Sequence, residues 1–123
     1  MANKDNIKWF NKPEDHDYPA AQSYLSLIFD EETCNKYITA LKKAEMAQFK
    51  SKDIFRASGL SLLGISNQHV KKDIKKIEDS ITLSPLLLVR DSTNSKLIIA
   101  DGYHRLCAVY SFDEDALIPC KIV

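Results

Sequence analysis

Apolar positions along this chain recur with two periods, one that suits helices and one that suits buried strands. Ala21, Tyr24, Leu25 and Ile28 fall at helical spacing behind Asp17 and Pro19, two residue types suited to a helix start. Asp30 can cap a second helix with Glu31 and Glu32 in its first turn. Its apolar stripe is Cys34, Tyr37, Ile38 and Leu41, and Lys42 and Lys43 sit near its end, where cations suit the helix dipole. A further helix is predicted over about residues 69–80, started by Ser66 or Asn67, with Val70, Ile74, Ile77 and Ile81 on its buried face. Lys71, Lys72, Lys75 and Lys76 flank that face and read as a solvated side.

Strand patterns lie between and after these helices. Met46–Lys50 fits a short strand. Residues 84–90 fit another, in which Pro85 opens the unbroken apolar run Leu86-Leu87-Leu88-Val89, a pattern expected for a strand buried on both faces. Asp91-Ser92-Thr93-Asn94-Ser95 is turn chemistry that joins it to Leu97–Ala100 as a hairpin. Asp113-Glu114-Asp115 leads to a final strand at residues 118–123. Residues 52–59 read as a loop or one tight turn. Leu60, Leu62, Leu63 and Ile65 are too apolar for a free loop and are expected to pack down. Residues 1–16 form a polar arm, either loose or pinned by Trp9 and Phe10.

The length of 123 residues suits one compact unit, and 45% hydrophobic content is enough for a real core. Seventeen basic and 17 acidic side chains cancel, which removes any general attraction to a nucleic-acid backbone. No apolar run approaches the ~20 residues that span a bilayer, and the start lacks the apolar core of a secretory signal. Cys34, Cys107 and Cys120 form no C-x-x-C pair, which favours reduced thiols in a cytoplasm over disulfides or a zinc site.

The candidate chemistry lies in Leu97–Tyr110, a buried strand, a glycine turn and a helix that begins with polar and cationic residues. Helix-start amides lack internal partners and carry the positive end of the dipole, so a phosphate or carboxylate can bind there. Gly102 lets an anion approach the backbone closely, and His104 and Arg105 add charge-assisted donors. Each residue has a plainer alternative. Gly102 can be a turn glycine, Arg105 can pair with Asp101 or Asp113, and His104 can be a structural contact. Asp101 can orient Arg105, hold magnesium, activate a hydroxyl, or simply cap the turn. His69 is either a base, a second anion donor or an ordinary surface histidine. Cys107, one turn beyond the motif, is expected in the core. No Ser/His/Asp order, H-E-x-x-H pair or P-loop run is present.

Gly102-Tyr103-His104-Arg105, between an apolar strand and a helix ending in Ala108-Val109-Tyr110, resembles the G-x-H-R or G-x-R-R signature of the ParB/sulfiredoxin superfamily. The flanking element order also fits, over roughly residues 46–123. The resemblance implies an α+β fold, a small mixed sheet with surrounding helices, to which residues 1–45 add an arm and a two-helix extension. It implies a site for a nucleotide (CTP, ATP or ADP), or another phosphorylated small molecule, with magnesium as a possible companion. Gly102, Tyr103, His104 and Arg105 would bind the ligand, Asp101 and His104 are the candidate catalytic residues, and Arg56, beside Lys52 and Asp53, is a second phosphate ligand by element order alone. Phosphoryl transfer or nucleotide hydrolysis would follow if the protein is an enzyme. Tyr103 stands where sulfiredoxins carry their catalytic cysteine, and a phenol cannot do thiolate chemistry, so sulfinic-acid repair is not expected. The chain ends at Val123 with no helix-turn-helix after the last strand, which argues against autonomous DNA partition. The competing readings are a non-catalytic ligand-sensing or protein-interaction module, using the N-terminal helices for a protein partner, and a nuclease, which zero net charge disfavours. Neither a nucleic acid nor a membrane is an expected partner.

Overall fold

The computed structural model describes residues 7–64 and 67–123. Ile65 and Ser66, expected to pack down and to start a helix, lie outside the described residues. The order of elements is α1 (Asp17–Leu25), α2 (Glu31–Lys43), β1 (Ala47–Lys50), α3 (Ser51–Ser58), α4 (Gln68–Glu78), β2 (Leu86–Asp91), β3 (Lys96–Asp101), α5 (Tyr103–Phe112) and β4 (Leu117–Ile122). The described residues thus form a mixed α+β fold with a four-stranded sheet in the order β1-β4-β2-β3. β2 pairs antiparallel with β3 and parallel with β4, and β1 pairs antiparallel with β4.

The alternation of side chains across β2 explains its unbroken apolar run. Leu86 and Leu88 face a core shared with Ile54, Val70, Ile77 and the α5 residues Leu106–Val109. Leu87 and Val89 face the other way, onto Tyr18, Ala21 and Leu25 of α1 and Cys34, Ile38 and Leu41 of α2. The sheet is therefore sandwiched, with α1 and α2 on one face and α3, α4 and α5 on the other. Fully burying one such leucine stabilises the fold by about 1.5–3 kcal/mol. All three cysteines are free and buried.

The caps of the second and fourth helices follow the sequence pattern. The Asp30 carboxylate accepts from the Thr33 amide, and the Asn67 side chain accepts from the amides of His69 and Val70. Lys121 from β4 closes the far end of α2 by donating to the Lys42 carbonyl at 3.0 Å. The arm is pinned. Trp9 bridges Leu83 in parallel and packs against the core, and the Phe10 amide donates to the Leu83 carbonyl.

Several expectations are corrected. Residues 52–59 do not form a loop but most of helix α3, whose buried face is Ser51, Ile54 and Ser58. The Ser51 hydroxyl donates to the carbonyls of Asp113 and Glu114, and Gly59 ends the helix at φ +67°. α1 buries Tyr18, Ala21 and Leu25, which leaves Tyr24 on its exposed side, and it ends before Ile28, which is also exposed. α4 ends at Glu78 and Ser80 takes φ +58°, which turns the chain and leaves Ile81 49% exposed. Leu60 and Leu62 are exposed rather than packed down, while Leu63 does pack against the core. No helix of the described residues is long and apolar enough to cross a membrane.

Candidate anion-binding site

β3 ends at Asp101, Gly102 turns the chain, and α5 begins at Tyr103. The turn requires glycine. Gly102 has φ +108°, and a Cβ there would lie 2.7 Å from Leu86 Cγ and 2.9 Å from Arg105 Nη2. The tight turn sets the start of α5 against a cleft of about 240 Å³ lined by Asp101, Gly102, Tyr103, His104 and Arg105 together with His69, Lys72, Asp73 and Lys76 of α4. Helices α4 and α5 thus face each other across it, one with a helix start and the other with a cationic side.

Arg105 reaches back one turn and donates from Nη2 to Asp101 Oδ2 at 3.0 Å, with its side chain 19% exposed. Its Nε is buried and has no hydrogen-bond partner among the described residues. The pairing with Asp101, one of the alternatives open from sequence, is therefore real, and the guanidinium also borders the cleft. Burial holds the Asp101 carboxyl above the usual aspartate value, Arg105 opposes that rise, and neighbouring Asp17 adds to it. Burial lowers the His104 imidazole below the usual histidine value; His69 and Arg105 act in the same direction and Asp73 acts against them. The rings of His69 and His104 lie 4.9 Å apart, so His69 belongs to the cleft rather than to an unrelated surface. Tyr103 donates its hydroxyl to the Ser61 carbonyl, which ties the segment after α3 to the start of α5. Cys107 is buried, and burial pushes its thiol up.

Arg56 does not join this group. It is exposed in the last turn of α3 and does not line the cleft. Lys52, its neighbour, pairs with Asp115 at 2.7 Å. Two residues that read as plain surface in the sequence do join: Lys72 and Lys76. His69, Lys72 and Lys76 follow i, i+3, i+7 spacing, a stripe running beside the apolar Val70, Ile74 and Ile77, and that register was the signal. Asp17, outside the cleft lining, is 3% exposed in the first turn of α1 and accepts from the Ser84 hydroxyl and the Glu14 amide.

The donor set suits an anion. Five cationic or protonatable side chains and a helix start converge on a small polar space. About 240 Å³ is below the range of whole-ligand pockets, so it fits a phosphate group or two while the rest of a nucleotide would extend beyond it. Magnesium fits less well. Among the described residues no three His, Cys, Asp or Glu groups are arranged to hold a metal ion. Asp101 is tied to Arg105, and Asp73 lies 3.9 Å from Lys76. Comparison with protein-family models, with curated proteins and with solved structures finds no match for this chain.

Proposed function

We propose that this is a ParB/sulfiredoxin-like protein that binds the phosphates of a nucleotide, or of another phosphorylated small molecule, at the start of α5. One observation carries the reading: Lys72 and Lys76 of α4 and His104 and Arg105 of α5 line the same cleft as the Gly102 turn. Backbone amides fix the anion's position, the two lysines supply point charge, and Arg105 supplies a planar donor held in place by Asp101. If chemistry follows, it is phosphoryl transfer or hydrolysis assisted by charge stabilisation, with Asp101 and His104 as the titrating groups nearest the ligand.

The second reading is a ligand-sensing module without turnover. The Asp101–Arg105 pair favours it, because a carboxyl already bound to a guanidinium is a poor general base. A thermal-shift screen with CTP, ATP, ADP and GTP, with and without magnesium, tests both. Binding predicts stabilisation by at least one nucleotide, lost in Lys72→Ala/Lys76→Ala and reduced at high salt. Turnover of that nucleotide then separates enzyme from sensor. No stabilisation by any of the four, nor by inorganic pyrophosphate, contradicts the proposal.

A further inference from the structure

A second concavity lies on the sheet face that carries α3, and it shares no lining residue with the cleft. α3 packs on β1 and β3, the two outer strands, and a pocket of about 360 Å³ opens beside it. Its floor is Ile54, Leu97 and Ile122, and Phe49 and Ala57 wall it. Ile54 is buried, Leu97 and Ile122 are half-buried, and Phe49 stands 38% exposed. The rim is polar, with Asp53 from α3 and Arg90, Ser95 and Lys96 from the β2–β3 hairpin. Strand alternation sets Arg90 on the same face as Leu86 and Leu88, so the apolar row of β2 ends in a guanidinium at the pocket's edge. Among the described residues, neither Arg90 nor Lys96 forms a salt bridge. β3 carries Lys96 at this pocket and Asp101 at the cleft, so the two lie roughly 17 Å apart along the strand.

We propose that this pocket is a second binding site, for a small carboxylate with an apolar body, such as a medium-chain or aromatic acid. Its volume falls at the small end of the range for ligand pockets, about 300–1,000 Å³, and exceeds that of the phosphate cleft. The lining decides the chemistry. An apolar body laid against Ile54, Leu97 and Ile122 leaves water, which raises affinity roughly fourfold per buried methylene. The head group stays at the rim, where the Arg90 guanidinium can take both carboxylate oxygens and Lys96 adds a point charge. Two cations face one carboxylate, Asp53, so the field at the mouth favours an anionic head over an ammonium or a neutral one. The rim residues are exposed, so the head group keeps part of its hydration, and its charge sets selectivity more than affinity.

A nitrogen-15 NMR titration of the full chain with butyrate, hexanoate and octanoate, and with hexylamine as the cation of matched length, tests the proposal. Hexanoate and octanoate should give saturable shifts at the amides of Ala57, Lys96, Leu97 and Ile122, and saturating pyrophosphate should leave those shifts in place. Affinity should rise roughly fourfold per methylene from butyrate upward until the pocket is full. Arg90→Gln should weaken hexanoate by a factor of roughly three to ten and keep the dependence on chain length. Ala57→Leu, which adds bulk to a wall, should flatten that dependence. Both substitutions fall at exposed positions, so both variants should melt close to the wild type. Hexylamine binding as tightly as hexanoate overturns the choice of a carboxylate. Acids that bind without regard to chain length, or equally well to Ala57→Leu, overturn the apolar pocket. No saturable shift at the lining amides, or shifts at Tyr103, His104 and Arg105 alone, overturns the second site and leaves the phosphate cleft to its own test.

Discussion

Replacing Gly102 with alanine tests the turn on which the cleft is built. Two costs add. An L residue at φ +108° sits in sparsely populated backbone space, at about 1–3 kcal/mol. The new methyl would also lie 2.7 Å from Cγ of Leu86, which is fully buried and cannot swing into solvent. Overpacking of that kind costs about 1–3 kcal/mol more. The sum is roughly 2–6 kcal/mol, which for a chain of 123 residues corresponds to a fall in Tm of roughly 8–24 °C. Gly59→Ala is the internal control. Gly59 also has positive φ, at +67°, but a Cβ there meets nothing within 4 Å, so only a backbone cost near ~1 kcal/mol applies. Calorimetry on the two variants measures the difference. The same Gly102 methyl lies 2.9 Å from Arg105 Nη2, so anion-induced stabilisation should be lost along with Tm. A Gly102→Ala protein that melts within a few degrees of Gly59→Ala would refute the steric argument.

Three further outcomes are expected. Arg105→Ala should cost about 1–3 kcal/mol at neutral pH, because it leaves Asp101 without its cation beside Asp17, and the loss should shrink on acidification, since a carboxyl with raised pKa destabilises only once ionised; urea denaturation at two pH values reads this, and an equal loss at both counts against it. His104 binds its proton less readily in the fold than in the unfolded chain, so its contribution to stability is present above the ordinary value of 6.5 and is lost as pH falls through the lowered folded value. Protonation in that same window should tighten anion binding, and His104→Gln should flatten both trends. Lys121→Ala should cost about 1–3 kcal/mol by removing the buried ammonium that donates to the Lys42 carbonyl in the last turn of α2; unchanged urea denaturation would count against that role.

The elements that were legible in the sequence are those with a single dominant signal. The β2–β3 hairpin follows from an apolar run, a polar turn and a second run, and the α2 boundaries follow from Asp30 and the terminal lysines. α3 was not legible because its buried face includes serines. Ser51 and Ser58 are buried through hydrogen bonds to carbonyls, which an apolar-spacing reading cannot see. Ile81 and Ile28 fit helical periodicity, but the helices end before them, and periodicity alone does not set an end. At the site, the local segment Asp101–Arg105 was readable because its residues are adjacent. Lys72 and Lys76 became part of it only through the packing of α4 on α5. Arg56, placed by element order, lies on the exposed side of α3.

The most direct test of the central claim is a nitrogen-15 NMR titration of the full chain with inorganic pyrophosphate at low salt. Anion capture at the start of α5 predicts saturable shifts concentrated at the amides of Tyr103, His104 and Arg105 and at α4 near Lys72 and Lys76, abolished in Lys72→Ala/Lys76→Ala. Shifts scattered over the lysine-bearing surface, or none at these amides, would contradict it.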